Sequence, residues 1–465
     1  MNSLNVKGNR RAFLKTAAGT AFALSAHGQP SPSGPPNIVL IVADDLGYGD
    51  LGCYGSSIAT PNIDRMAQQG VRFTQFCSAS PVCSPARAAL MTGRYPTRVG
   101  IPRVLDTCDT YGLPDSETTM AQVLKSAGYA TMCVGKWHLG STPQYLPTNR
   151  GFDEFYGIPY SIDQGTRPLL SNTDIIEQPA SLETLTRRYT ERAVDFIGRS
   201  GGAPFFLYMP HSFPHIPLAA SPAFSGRSFQ GLYGDVVQEI DWSVGQVLES
   251  IQANGLDSNT LVMVSSDHGP WFQGSPGGLR GRKGDTFEGG VRVPFVARFP
   301  GLIPGGQVCE EFAASLDIFP TVAGLAGAAL PANPLDGIDI QPLLTGQPQD
   351  LPREAFLYFN DVYLQCARLG QWKLHVARFN SPPFTPAPAE GRLNLPLPCP
   401  ELYNVVADPD ESHDRAARNA ATVSDLQARI ARLMPTFPSD IWSAWNATLS
   451  VPVQGTPAGC LPIKK

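Results

Sequence analysis

Residues Asn37-Ile38-Val39-Leu40-Ile41-Val42-Ala43 make an unbroken apolar, β-rich run that stops at Asp44-Asp45. A run without polar alternation suits a strand covered on both faces, the condition of a parallel sheet between helices. The pattern recurs. Residues 260–266 end at Asp267-His268-Gly269, 129–134 end at Gly135-Lys136-Trp137-His138, and 204–209 end near His211 and His215. Helical patterns at 118–126, 182–197 and 236–251 precede three of these runs; the last aligns Val237, Ile240, Val244, Val247, Leu248 and Ile251 along one side. Alternating helix and buried strand predicts a layered α/β fold with a large central, mostly parallel sheet flanked by helices. Ligand sites in such sheets lie at the carboxyl edge of the strands. Four strands delivering Asp, His and Lys to one edge are hard to explain as unrelated surface residues.

Composition narrows the function classes. The chain has 465 residues, enough for more than one domain, and a formal net charge of -5. That balance gives no bulk attraction to nucleic acid. Gly 45 and Pro 44 make up about a fifth of the residues, which implies many loops on a compact scaffold. The cysteines, at 53, 77, 83, 108, 133, 309, 366, 399 and 460, are odd in number and form no C-x-x-C pair. This argues against a zinc knuckle or dithiol redox site and admits one or two disulfides.

Residues 9–15 read Asn-Arg-Arg-Ala-Phe-Leu-Lys, a mild apolar run follows at 16–26, and a Pro/Ser-rich stretch closes the segment. This is the order of an export signal, too short to span a bilayer, and Arg10-Arg11 resembles the bacterial twin-arginine type. Residues 1–30 are therefore read as an address and flexible lead, and 35–350 as the main domain. Residues 351–465 read as a smaller α+β domain and tail. In it, 355–359, 363–368 and 372–376 look like antiparallel strands with a turn at Arg368-Leu369-Gly370-Gln371, 379–400 like a long Pro-rich loop, and 421–434 like a terminal amphipathic helix.

Adjacent carboxylates repel unless a cation holds them. Asp44-Asp45 with Asp267-His268 suit a hard divalent ion; an Asp/Gly-rich turn is the plainer alternative. Cys83-Ser84-Pro85-Ala86-Arg87 opens a helix, with Pro85 early in it and Cys83 at its positive end. On physics alone Cys83 reads either as a thiolate nucleophile or as an ordinary buried cysteine.

Cys83-x-Pro85-x-Arg87 followed by Ala89-Leu90-Met91-Thr92-Gly93-Arg94 resembles the signature of type I, formylglycine-dependent sulfatases of the alkaline phosphatase-like superfamily. Asp44-Asp45-Leu46-Gly47-Tyr48-Gly49-Asp50, Gly135-Lys136-Trp137-His138, Pro214-His215-x-Pro217, Asp267-His268-Gly269 and Lys283-Gly284 are similar to further family motifs, as is Glu401-Leu402-Tyr403-Asn404 with Asp408-Pro409 and Glu411. The matches run in order from about residue 37 to about 415.

The resemblance implies hydrolysis of sulfate monoesters, aryl or carbohydrate, with release of inorganic sulfate. It implies oxidation of Cys83 to formylglycine by a dedicated enzyme, and one calcium ion held by Asp44, Asp45, Asp267 and His268 with an oxygen of residue 83, the oxygen that attacks sulfur. The family's usual fourth ligand is Asn, although His also occurs, so His268 departs from the commoner residue. Arg87 would hold the aldehyde hydrate, Lys136 and Lys283 the sulfuryl oxygens. His215 and Lys283 lie where the leaving oxygen is protonated, and His138 where a proton is taken to expel sulfate. The expected partners are a sulfated small molecule or sugar, the formylglycine-generating enzyme and the twin-arginine translocase. No nucleic acid and no stable membrane insertion are expected, and the location is periplasmic or secreted.

The rival readings are a formylglycine-dependent phosphonate or phosphate monoester hydrolase and a catalytically dead binding homologue. The motifs supply ligands for one metal only, against a two-metal phosphatase. The leaving group is left to the loops at 142–146, 161–180, 271–279 and 379–400. There Trp271 and Phe272 either stack on a substrate ring or cap the core. Arg282 is expected to face solvent, His211 to serve a subsite or the structure, and His375 and His413 to lie on the surface or in packing.

Overall fold

The computed structural model describes residues 34–347 and 352–452. The export lead read at 1–30 lies outside the described residues, as does the domain boundary placed near 350. Ten strands form one mixed sheet in the order Gln307–Cys309, Val71–Phe73, Phe295–Arg298, Thr260–Ser266, Asn37–Ala43, Phe205–Pro210, Ala130–Lys136, Glu154–Ile158, Leu169–Ser171, Asp174–Glu177. The five strands from Thr260–Ser266 to Glu154–Ile158 are mutually parallel. Four of them, all but Glu154–Ile158, are the strands whose apolar runs lack alternation, and the reason is two-sided burial. Ile38, Leu40 and Val42 pack into one core, Val39, Ile41 and Ala43 into the other. Each of the Ile, Leu and Val side chains contributes about 1.5–3 kcal/mol when fully buried.

Helices Pro61–Gln68, Leu182–Arg199 and Gly231–Ala253 cover one face, and Cys83–Thr92, Met120–Ser126 and Ile318–Leu325 the other. Local chemistry sets their ends. Thr119 caps Met120–Ser126 by accepting from Gln122 N at 3.1 Å, while Gln122 Oε1 accepts from Thr119 N at 2.7 Å. Gly93, at φ 65°, closes Cys83–Thr92 in the left-handed region.

The C-terminal part is a four-stranded antiparallel sheet, Phe356–Asn360, Tyr363–Leu369, Trp372–Phe379 and Asn394–Asn404. The turn at Gly370-Gln371 stands as expected, with Leu369 paired to Trp372. Two expectations fail. The Pro-rich segment is not all loop: Asn394–Asn404 pairs with Trp372–Phe379. It is an edge strand, where a proline's missing N–H goes unneeded. The helix Ala420–Leu433 is not terminal either, since Ser439–Ser450 follows it. Cys399 on the edge strand is disulfide-bonded, and among the described residues seven cysteines are free.

The small sheet shares a core with the large domain, where Phe356, Tyr358 and Leu374 meet Ala89, Tyr95 and Val291. Charges are buried at the same junction. Lys373 Nζ lies 3.0 Å from Glu288 Oε1 and 3.3 Å from Glu411 Oε1, and Arg292 Nε donates to Glu288 Oε2 at 2.6 Å. Burial pushes both glutamates up, but Lys373, with Arg292 and Arg368 at Glu288 and His375 at Glu411, holds them below the ordinary 4.5. A depressed folded pKa means the unfolded chain binds more protons in acid. The stability these groups contribute is therefore present above pH 4.5 and lost as pH falls through the folded values. The Glu288→Gln protein should be less stable at pH 7 and show a shallower fall of unfolding midpoint below pH 4.5 than the parent. Parallel acid profiles would show that Glu288 carries no part of the acid sensitivity.

Candidate active site

Strand register builds the site. Ala43 pairs with Ser266, so Asp44 and Asp267 leave neighbouring strands at the same height. Asp45 turns away at φ 68°, a conformation uncommon outside glycine. The turn is held by Asp45 N donating to Asp267 Oδ1 at 3.2 Å and Leu46 N to Ser266 Oγ at 3.0 Å. Cys83 is the first residue of its helix, after extended Val82. Its Sγ lies 3.7 Å from Asp44 Oδ1 and 3.2 Å from His268 Nε2. One ligand atom from each of Asp44, Asp45, Cys83 and His268 lies within 4.8 Å of the others. Asp267 sits beside this group, its Oδ1 3.6 Å from His268 Nε2.

Cations enclose the carboxylates. Arg87, one helical turn after Cys83, donates through Nε and Nη2 to Asp267 Oδ2 at 3.1 and 2.9 Å and lies 3.3 Å from Asp44 Oδ1. Lys136 Nζ donates to Asp44 Oδ2 at 2.6 Å and to Ser161 Oγ at 3.2 Å. Lys283 Nζ donates to both Asp45 oxygens at 2.8 and 2.9 Å. His215 Nε2 lies 3.7 Å from Asp45 Oδ2. All the site residues expected from the sequence are buried, and all of these but His138 are joined in one network.

Ionisation follows from this cage. Burial pushes Asp44 up, but Lys136, His215 and Arg87 hold it well below the usual range. Asp45 is likewise lowered against burial, chiefly by Lys283. Burial raises the Cys83 thiol, yet Lys136 and Lys283 bring it down to about 6. Asp267 is raised to about 6, mainly by burial. His268 is raised to about 9, because Asp267 and Cys83 outweigh burial. His138 is held well below its ordinary value by burial, then by Lys136 and Arg87.

The histidine tautomers can be assigned. A carbonyl only accepts, so His138 Nε2, 3.0 Å from Leu105 O, carries the hydrogen. Neutral His138 then has its lone pair on Nδ1, which is buried with no hydrogen-bond partner. His215 Nδ1 donates to Ile216 O at 2.6 Å, leaving Nε2 for chemistry.

Sequence reasoning named the 161–180 loop but assigned no role to Ser161 or to Asp163, which is 4.0 Å from His215 Nδ1, and it missed the Leu105 carbonyl. A backbone carbonyl leaves no sequence signal, and the two side chains sit on an irregular loop. Arg282 does not simply face solvent: Nη1 donates to Trp271 O at 3.1 Å and Gly274 O at 2.7 Å, bracing that loop. His211 is structural, fully buried beside Tyr189, and burial lowers it to about 4. His375 is a packing residue bound to Glu411, while His413 is exposed next to Asp408.

Two carboxylates and a thiol caged by three cations, at the carboxyl edge of the parallel strands, make a site suited to an anionic ligand. A sequence-family model described as Sulfatase matches residues 36–328. The chain is 40% identical over 465 residues to arylsulfatase A of Homo sapiens, covering 90% of this chain and 89% of that one. It is 42% identical over 391 residues to N-acetylgalactosamine-6-sulfatase of Canis lupus familiaris, covering 77% and 74%. Among solved structures, the PsFucS1 sulfatase from Pseudoalteromonas sp. superposes with a TM-score of 0.77 at 28% identity, covering 87% of this chain and 91% of that one. The chain belongs to the sulfatase family, within the alkaline phosphatase-like superfamily, and is a sulfuric ester hydrolase.

Removing one partner from a buried ion pair costs about 3–5 kcal/mol, because the other charge stays buried. Arg87→Met, which strips the guanidinium from Asp267 and Asp44, should lower stability by about that amount in urea unfolding. An unchanged midpoint would mean that the carboxylates do not depend on Arg87.

Proposed function

We propose that this sulfatase cleaves aryl or carbohydrate sulfate monoesters with a formylglycine made from Cys83 and one divalent ion, most simply calcium. The observation that carries the reading is the convergence of Cys83 with Asp44, Asp45 and His268 inside the ring of Arg87, Lys136 and Lys283. The donor set fits a cation: two carboxylates held ionised, with a third donor pair from Cys83 and His268. Asp44, Asp45, Asp267 and His268 would hold the ion together with an oxygen of residue 83. A divalent ion held there would supply Lewis acidity to the reacting centre. Oxidation of Cys83 to the aldehyde supplies, in its hydrate, one hydroxyl to displace the alcohol from sulfur and a second whose deprotonation expels sulfate.

The chain's own residues do the rest. Lys136 and Lys283 present fixed positive charge to the sulfuryl oxygens, where it is worth more than in water. Arg87 orients residue 83 from one turn along the same helix. With Nδ1 held on Ile216 O, His215 presents Nε2 near Asp45, and in its doubly protonated form that N–H serves the leaving oxygen beside Lys283. His138, kept neutral and with its lone pair on Nδ1, accepts the proton that releases sulfate. Relatives named for aryl and galactosamine sulfates support the substrate class. Arg10-Arg11 supports export in the folded state to the periplasm or beyond. Maturation would then involve a formylglycine-generating enzyme and the twin-arginine translocase.

Metal dependence is separable from turnover. Calcium at a hundredfold excess over its Kd should stabilise the protein by about 2.7 kcal/mol against thermal unfolding. Asp45→Asn should abolish that gain; a calcium response retained in full by Asp45→Asn would remove Asp45 from the ligand set.

Turnover separates Cys83 from His138. Cys83→Ser should fold and become sulfated at most once, since a serine ester has no second hydroxyl. His138→Ala should give a burst of about one alcohol per site, followed by slow sulfate release. Rapid quenching reads alcohol and sulfate separately. Parallel loss of both without a burst would reject His138 as the releasing base, and multiple turnover by Cys83→Ser would reject the aldehyde.

A further inference from the structure

We propose that Trp271, Phe272 and Phe384 form a wall of three rings that receives a ring of the leaving alcohol, so that the enzyme selects sulfate esters of ring-bearing alcohols with an apolar face. This inference rests on the sulfatase reading above and deepens it.

The wall adjoins the reacting centre. Trp271 comes three residues after His268, and its ring lies 5.7 Å from Lys283 Nζ, the ammonium that binds Asp45. Phe384 arrives from a segment more than a hundred residues away. Its ring is 4.7 Å from that of Trp271, edge to face, and Phe272 is 5.0 Å from Trp271 on the same terms. Such pairs bury hydrophobic area with defined geometry. Here the burial is incomplete, since Phe272 is 66% and Phe384 52% exposed. Large apolar side chains left exposed together at the rim of a site mark a surface that a ligand covers.

The rings are also held in place. Ser275 N donates to Asp50 Oδ1 at 2.9 Å and Gly49 N to Ser275 O at 3.0 Å, which ties the 271–279 loop to the turn after Asp45. Arg282 braces the same loop through the Trp271 and Gly274 carbonyls. Phe384 adopts φ 57°, an outlier for an aromatic residue, and its ring lies over Gly284, where an added Cβ would come within 2.8 Å of it. Gly284 follows Lys283 directly, so the wall and the sulfuryl-binding ammonium share one backbone. An ester with its sulfate on Lys283 has its alcohol within reach of Trp271. Arg282 is already committed to backbone carbonyls, so the wall itself offers contact to a ring's apolar face rather than to an anionic group.

Steady-state kinetics with 4-nitrophenyl sulfate, glucose 6-sulfate and ethyl sulfate test this in the parent, Trp271→Ala, Trp271→Phe and Phe384→Ala proteins. Trp271→Ala and Phe384→Ala should raise KM for at least one ring ester about three- to tenfold, the value of one ring contact. Ethyl sulfate kinetics and inhibition by inorganic sulfate should not move, and Trp271→Phe should restore most of the loss. A loss confined to 4-nitrophenyl sulfate identifies an aryl alcohol, and one confined to glucose 6-sulfate the carbon face of a sugar. Equal loss on all three esters, or none on either ring ester, overturns the wall. Failure of the parent to cleave any ester would instead defeat the sulfatase reading. The wall is then judged by calorimetry on Cys83→Ala protein, where adding Trp271→Ala should weaken 4-nitrophenyl sulfate and leave inorganic sulfate unchanged. Weakening of both, of neither, or a parent that binds the ester no better than sulfate, counts against it.

Discussion

Three carboxylates buried at the ends of two adjacent strands are the constraint around which the rest is arranged. Asp44, Asp45 and Asp267 are all nearly inaccessible to solvent, and isolated charges there would be prohibitive. Each is answered by a cation from a different element: Lys136 from a strand end, Arg87 from a buried helix, Lys283 from a loop. The stability and the chemistry of the site are thus one problem. The same fixed positive charges that permit the carboxylates to be buried are those an anionic ester needs, and they are set in place before it arrives.

The small C-terminal sheet supports this arrangement from behind. Glu288 N donates to Glu411 Oε2 at 2.6 Å, and Lys373 Nζ to Thr286 O at 2.7 Å. Both contacts fall on the segment that follows Lys283. Asn360 Nδ2 donates to Gly284 O at 2.6 Å, one residue from the ammonium. A domain that adds no residue to the cluster of Asp44, Asp45, Cys83 and His268 therefore fixes the loop that carries one of its cations.

Much of this was legible because it is periodic or clustered. The strand Asn37–Ala43 has the limits its apolar run implies, and the register that sets Asp44 beside Asp267 follows from two such runs pairing side by side. Asp44, Lys136 and Asp267 stood out at the ends of buried runs, whereas Lys283, on a loop, stood out through motif resemblance alone. What was not legible has physical reasons. The helix Gly231–Ala253 begins earlier than its apolar stripe because Gly231 and Gly234 interrupt the pattern. The strand Asn394–Asn404 hides behind three prolines that only an edge tolerates. The Leu105 carbonyl that fixes the His138 tautomer belongs to the backbone and has no side-chain identity at all.

The chemistry turns on what residue 83 becomes inside this cage. The most direct measurement is the mass of the Cys83-bearing peptide from protein that is shown, in the same preparation, to hydrolyse a sulfate ester. The aldehyde is expected at residue 83 in the active protein, in proportion to its activity. An unmodified thiol throughout a fully active preparation would contradict this expectation.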